Sequence, residues 1–237
     1  MKNNVVKITK CRICGADDLE FVFSLGDQYI NNFIKAEDLS KCLKAPLELV
    51  FCTVCKLLQL KHNSPQELLY SGYYWYKSGV TNTMKIALKN ITSDIESKFH
   101  LKNNDIVLDI GSNDGTLLRS YSNNNLIKVG VEPAKNLEEE GRKNIDFFIN
   151  EFWDYEIYLS IIKKKAKVIT AIGMFYDMED PNKFILDVSK ALSEEGVFVA
   201  QLMCLDNMIE SNDIGNICHE HLEFYSFESL EYLFEKN

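Results

Sequence analysis

Hydrophobic and polar positions change their spacing three times along the chain. Up to about residue 70 the apolar runs are short, such as Leu47-Glu-Leu-Val-Phe51 and Leu57-Leu-Gln-Leu60, and they read as strands. An aromatic stretch follows, Tyr70-Ser-Gly-Tyr-Tyr-Trp-Tyr76. From Thr81 to Phe99 the apolar set Met84, Ile86, Leu88, Ile91 and Ile95 predicts an amphipathic helix. Beyond it strands and helices alternate. Strands are predicted at Ile106–Ile110, Lys128–Val131, Asp146–Ile149, Val168–Ile172 and Gly196–Leu202. Helices are predicted at Gly115–Tyr121, Ala134–Arg142, Tyr155–Lys165 and Asn182–Leu192, with Ser226 capping a last one through Phe234. Such βα repeats predict an α/β fold, a Rossmann-like, doubly wound parallel sheet. The expected domains are 1–70 and 71–237. The expected sheet lacks the two strands that close an ordinary sheet of this type beyond its fifth, leaving Gly196–Leu202 as a bare edge. The last helix can cover only one face there, so a partner chain is expected, most simply in a homodimer.

Composition narrows the function. Lys plus Arg number 26 against 35 Asp plus Glu, a net charge of −9. A chain this acidic repels nucleic acid, so no nucleic-acid partner is expected. No run approaches the length of a membrane span, so no membrane partner is expected either. The start, Met1 to Lys7, lacks the apolar core of a signal peptide, which points to a cytoplasmic protein.

Four of the seven cysteines form two Cys-x-x-Cys pairs, Cys11/Cys14 and Cys52/Cys55. Two such pairs complete an all-sulfur tetrahedral site, so structural Zn2+ is expected. The alternatives are a redox motif, which would need one copy only, and unrelated buried thiols.

The first strand of the alternating region runs into Asp109-Ile-Gly111-Ser112-Asn113-Asp114-Gly115. In an open α/β sheet, ligands sit beside the first βα turn. Gly111 permits close backbone approach, and Gly115 permits the turn into the helix. The next strand ends at Glu132, whose carboxylate can accept both ribose hydroxyls; as a strand-end group it is expected to be removable without cost to the fold. Asn113 stands where a dinucleotide fingerprint needs its second glycine. Asp109 and Asp114 would repel pyrophosphate but suit the cationic S-adenosylmethionine (SAM).

The loop Leu108-Asp-Ile-Gly-Ser-Asn-Asp-Gly-Thr-Leu-Leu118, with Gly130-Val-Glu-Pro-Ala134, resembles a family of zinc-containing, SAM-dependent class I methyltransferases. That family includes C-methyltransferases of nucleotide-linked deoxyketosugars. Cys11-Arg-Ile-Cys-Gly15, Pro46–Cys52, Tyr74-Trp-Tyr-Lys-Ser78 and His219-Glu-His-Leu222 are similar to it in the same order. The resemblance implies a four-cysteine zinc domain on a class I methyltransferase domain. It implies SAM contacts along Asp109–Gly115, at Glu132, Pro133 and Ala134, at Asn150 and Phe152, at Ala171, Gly173 and Met174, and at Tyr76 and Ser78. Three features depart from it. Cys218 replaces a tyrosine, Asp177 stands at a histidine position, and the large C-terminal domain of those members does not follow Asn237.

Methyl transfer to a hydroxyl or a carbon acid needs a base. The family pattern favours His221, with Glu220 positioning it or the substrate and His219 beside them. The cluster could instead be a loop held by satisfied histidines or a surface metal site. Asp177 is a second candidate base, or a solvated acid. Tyr74 and Tyr76 either line an acceptor pocket or pack on the sheet. The expected substrate is a small activated glycan or capsule-type precursor, nucleotide-linked or phosphorylated. The alternative is a non-catalytic SAM-binding or scaffold protein derived from a larger methyltransferase.

Overall fold

The computed structural model describes residues 5–30, 37 and 42–237. Two compact units emerge. The first takes the chain up to Leu69 together with Phe175–Ile185 and Leu202–Asn237, and the second takes Tyr70–Met174 and Leu186–Gln201.

The second unit is built on a five-stranded parallel sheet. Its strands are β6 (Ile106–Ile110), β7 (Ile127–Val131), β8 (Phe147–Ile149), β9 (Ala166–Ile172) and β10 (Leu192–Gln201), in the order β10-β9-β6-β7-β8. Every residue of β6 is buried, which a strand covered on both faces requires. In register, Asp109 stands beside Gly130 on one side and Thr170 on the other. The carboxyl ends of the three central strands are thereby brought level. Helix α1 (Asn82–Lys98) is capped by Thr81, whose hydroxyl accepts the Met84 N–H at 3.2 Å. Its buried stripe is Leu88, Thr92 and Ile95, and Leu88 and Ile95 join Val107, Leu117, Leu118, Tyr121, Leu126 and Val168 in one core. Ile86, counted in the apolar stripe from sequence, faces solvent.

The first unit holds an antiparallel sheet of order β11-β4-β3-β2: β2 (Leu19–Tyr29), β3 (Lys44–Cys52), β4 (Leu58–Leu60) and β11 (Glu223–Phe224). A separate pair joins β1 (Val6–Lys7) to β5 (His62–Asn63). Along β3 the alternation Ala45, Leu47, Leu49 buries one face. Helix α3 (Leu205–Ser211) adds Leu205 and Met208 to a core with Leu47, Leu49, Leu60, Leu222 and Phe224. Phe224 is fully buried and pairs with Leu58, which ties the late segment into the sheet of the cysteine-bearing segment. Helix α4 (Phe227–Lys236) closes on Ser226 with a capping box.

At one edge of the parallel sheet, β10 pairs only with β9 among the described residues. The last helix was expected to cover one face there. It belongs instead to the first unit, where Phe234 meets the ring of Phe175 and the Lys236 ammonium reaches the Ile13 carbonyl.

Candidate functional site

In the first unit the two Cys-x-x-Cys turns meet. The four sulfurs lie within 4.8 Å of one another, with Cys11 to Cys55 and Cys14 to Cys52 both at 3.4 Å. Four thiolates around one tetrahedral zinc stand about 3.8 Å apart, so one ion fits with little movement. Each knuckle is closed by a backbone bond, Gly15 N–H to Cys11 and Lys56 N–H to Cys52, both at 3.0 Å. Crowding splits the thiols. The hydrogen bond from Cys55 holds Cys11 down at about 4, and the same bond pushes Cys55 up. Beside the knuckle the buried Arg12 guanidinium bonds the Gln59 side chain at 3.1 Å and the Leu60 carbonyl at 2.7 Å, and it faces Glu223 at 3.5 Å. Glu223 sits on β11, so this ion pair links the knuckle to the late strand. The Gly-rich and Cys-rich motifs gave no signal for it.

In the second unit the turn after β6 is drawn tight. Gly111 and Ser112 both donate to the Val131 carbonyl, at 2.9 and 3.0 Å. Gly111 has φ +70°, and a Cβ there would come within 2.8 Å of the Met174 side chain. Gly115 is also left-handed and opens helix α2 (Thr116–Arg119). The side chains between them are committed locally. Ser112 Oγ tucks against Gly130. Asp114 accepts from the Gly79 N–H at 2.8 Å, from the Thr116 hydroxyl at 2.6 Å and from the Thr116 N–H at 3.1 Å, the last closing an Asx turn. Asn113 accepts from the Ser78 N–H and donates to the Tyr76 carbonyl, clamping the aromatic segment onto the loop. Asn136 clamps Tyr74 in the same two-way manner. Tyr76 and Trp75 are exposed.

Glu132 departs from expectation. It is buried, and its two oxygens accept the Asn113 and Ala134 N–H groups, each at 2.9 Å. It therefore holds two turns together and is not freely removable. Each oxygen keeps one further lone pair. Burial raises its pKa. Asn150 donates to the Glu132 carbonyl at 2.7 Å, and Gly173 is tied to Gln201 at 2.8 Å. Asp109 is buried with the Thr170 hydroxyl at 2.6 Å, and loss of water pushes it up to about 7. Thr170 has no motif of its own, and only the register of β9 against β6 could have revealed it.

His219, Glu220 and His221 lie in the first unit. His219 is buried, and its Nε2 meets the Ala45 carbonyl at 3.1 Å. The His221 Nδ1 meets the Asn216 carbonyl at 2.7 Å, and its ring takes the Tyr176 ring edge-on at 4.7 Å. Burial lowers the pKa of both histidines. Asp177 is buried, not a solvated acid, and its carbonyl accepts from Gln66 at 3.1 Å. Cys218 joins Glu220 and His221 in a cluster whose ligand atoms lie within 4.8 Å.

Comparison with known proteins matches residues 11–70 to the family described as "Putative zinc binding domain". Residues 86–237, well over half the chain, match the family described as "Methyltransferase domain". The chain belongs to the methyltransferase-domain family. Its order of parallel strands is the sheet of this methyltransferase domain, and the cysteine cluster is the zinc-binding element in front of it. A similar curated protein is the C-methyltransferase NovU of Streptomyces niveus, 27% identical over 241 residues, which covers 100% of this chain and 57% of the relative. The chain thus spans a little over half of that relative's length. Among solved structures, the plantazolicin methyltransferase BpumL in complex with a pentazolic desmethylPZN analog and SAH is 22% identical. It covers 66% of this chain and 58% of that one, with a TM-score of 0.46. Coclaurine N-methyltransferase bound to N-methylheliamine and SAH is 14% identical over 72% of this chain and 54% of that one, with a TM-score of 0.47.

Within the methyltransferase domain, the residues expected at the cofactor fall into two groups. Gly111, Glu132, Pro133 and Ala134 share the turn after β6 and the end of β7. Ala171, Gly173 and Met174 follow along β9, with Met174 reaching over Gly111. Ser112, Asn113 and Asp114 build the loop with their side chains.

Proposed function

We propose that the chain is a SAM-dependent methyltransferase acting on a small activated glycan or capsule-type precursor, nucleotide-linked or phosphorylated. One observation carries the reading: a left-handed Gly111 lies one strand from a buried carboxylate, Glu132, that keeps a lone pair on each oxygen. The residues fit SAM. Glu132, a buried acid at the end of β7, suits a ligand that brings hydroxyl donors and would repel pyrophosphate. When bound, SAM supplies an electrophilic methyl group on a cationic sulfur. Glu132 would accept the ribose hydroxyls, Asn150 and Phe152 would flank the adenine, and the backbone of Gly111 would let the methionine end approach. Tyr76 and Ser78, clamped by Asn113, would border the same ligand.

The acceptor's proton is assigned to His221. Its Nδ1 faces a carbonyl, which can only accept, so Nδ1 carries the proton and Nε2 is free to act as base. Burial keeps the ring neutral near pH 7. Glu220 positions the ring or the acceptor, His219 holds the turn from below, and Asp177 is a second base. The resemblance to nucleotide-sugar C-methyltransferases, and the C-methyltransferase relative, support a sugar-like acceptor. With Cys218 and Asp177 in place of that family's tyrosine and histidine, an oxygen acceptor is as well served as carbon.

The test is transfer of label from methyl-labelled SAM to a panel of nucleotide-linked sugars and phosphorylated small acceptors. Label should appear in at least one acceptor and be lost in His221→Ala. Tight SAM binding without transfer to any acceptor would overturn catalysis and leave a SAM-binding scaffold.

A further inference from the structure

The turn that carries His221 also holds a set of metal-ligating atoms. The Cys218 sulfur, a Glu220 carboxylate oxygen and a His221 ring nitrogen lie within 4.8 Å of one another. The sulfur and Glu220 Oε2 are 3.9 Å apart. Sulfur and oxygen ligands on one tetrahedral zinc stand about 3.5 Å apart. The backbone explains the grouping. His221 N–H donates to the Cys218 carbonyl at 3.3 Å, closing a turn over residues 218–221. His219 is not part of this set and meets the Ala45 carbonyl.

The ring is also prepared for a metal. The Asn216 carbonyl accepts the Nδ1 proton at 2.7 Å, which fixes the neutral tautomer with its lone pair on Nε2. Ligating histidines are oriented by such a second partner. The three residues are half-buried. One thiolate, one carboxylate and one imidazole make a borderline-soft set that suits zinc, and the two anionic ligands neutralise its charge. Binding would displace the thiol proton to solvent.

We infer that Cys218, Glu220 and His221 form a second zinc site, separate from the four-cysteine cluster, with its fourth position open to water or a ligand oxygen. The site goes beyond the methyl-transfer reading, and only its consequence for the base rests on that reading. Metal and acceptor proton compete for the same His221 nitrogen, so zinc in excess of the first equivalent would hold the base occupied.

Cobalt(II) is the probe, titrated into the full chain with the four-cysteine cluster already zinc-filled, and with neither SAM nor acceptor present. A further equivalent should bind and show tetrahedral d–d bands with a thiolate-to-cobalt charge-transfer band. Cys218→Ser should remove the charge-transfer band and weaken binding by at least about 100-fold. Glu220→Gln should weaken binding by at least about 10-fold and keep the band. Cys42→Ser should change nothing. Retained zinc content and an unchanged circular dichroism spectrum would show that each variant folds. The inference is overturned if no further equivalent binds beyond exchange at the four-cysteine cluster, or if Cys218→Ser leaves the bands unchanged.

Discussion

Asp109→Asn isolates the cost of a carboxylate sealed inside the methyltransferase sheet. Burial lifts Asp109 from its ordinary 3.8 to about 7, loss of water being the largest cause; the Thr170 hydroxyl partly offsets it and Glu132 adds repulsion. A tenfold change in an equilibrium is about 1.4 kcal/mol, so the charged form costs the folded state on the order of 4 kcal/mol. The sign follows from the direction. The folded value lies above the unfolded one, so this stability is complete below about 3.8 and is lost as pH rises through about 7. Asparagine keeps an oxygen for Thr170 but brings N–H donors without a partner, a cost of about 1–3 kcal/mol that does not vary with pH. The pH dependence of the difference is therefore the decisive quantity. Between about pH 5.5 and 8.5, Asp109→Asn should gain about 2 kcal/mol on the wild type. Urea unfolding followed by tryptophan fluorescence reads it, because Trp75 and Trp153 both lie in the second unit. A difference that stays flat across that range would mean that Asp109 is ionised throughout, and the reasoning would fail.

Cys52→Ser should abolish most zinc binding and unfold the first unit preferentially, read by elemental analysis and limited proteolysis, because metal binding is coupled to folding. Glu132→Ala should weaken SAM binding by about 1–3 kcal/mol in calorimetry. It should also destabilise the second unit by about 2–4 kcal/mol, because the Asn113 and Ala134 N–H groups lose their acceptor. Methyl transfer should be flat above neutrality and fall only below the ordinary histidine range, because burial lowers His221; kcat/KM against pH should lose that limb in His221→Gln.

The parallel strands were legible because each is a short apolar run between helical stretches, and β6 was read to the residue. The cysteine pairs were legible because ligand spacing is local. Strand β2 was not. Its register slips between Phe21 and Phe23 and again between Ser24 and Asp27, which breaks the alternation that marks a strand. Helix α3 and the two residues of β11 are too short to show a period, so the return of the late segment to the first unit was invisible. Asp114 was read as a ligand-facing charge. The Asp-x-Thr spacing, which makes an Asx turn, was the available signal that it caps its own loop. Glu132 was read as free because strand position says nothing about which N–H groups converge on it. Asn113 reaches it from a turn 19 residues earlier.

Calorimetric titration of the zinc-loaded chain with SAM, and separately with NAD, addresses the identity of the cofactor. SAM should bind with one site per chain and raise the melting temperature of the second unit by linkage, while NAD should give no heat. Heat and stabilisation from NAD, with none from SAM, would contradict the assignment of Gly111 and Glu132 to a methyl donor.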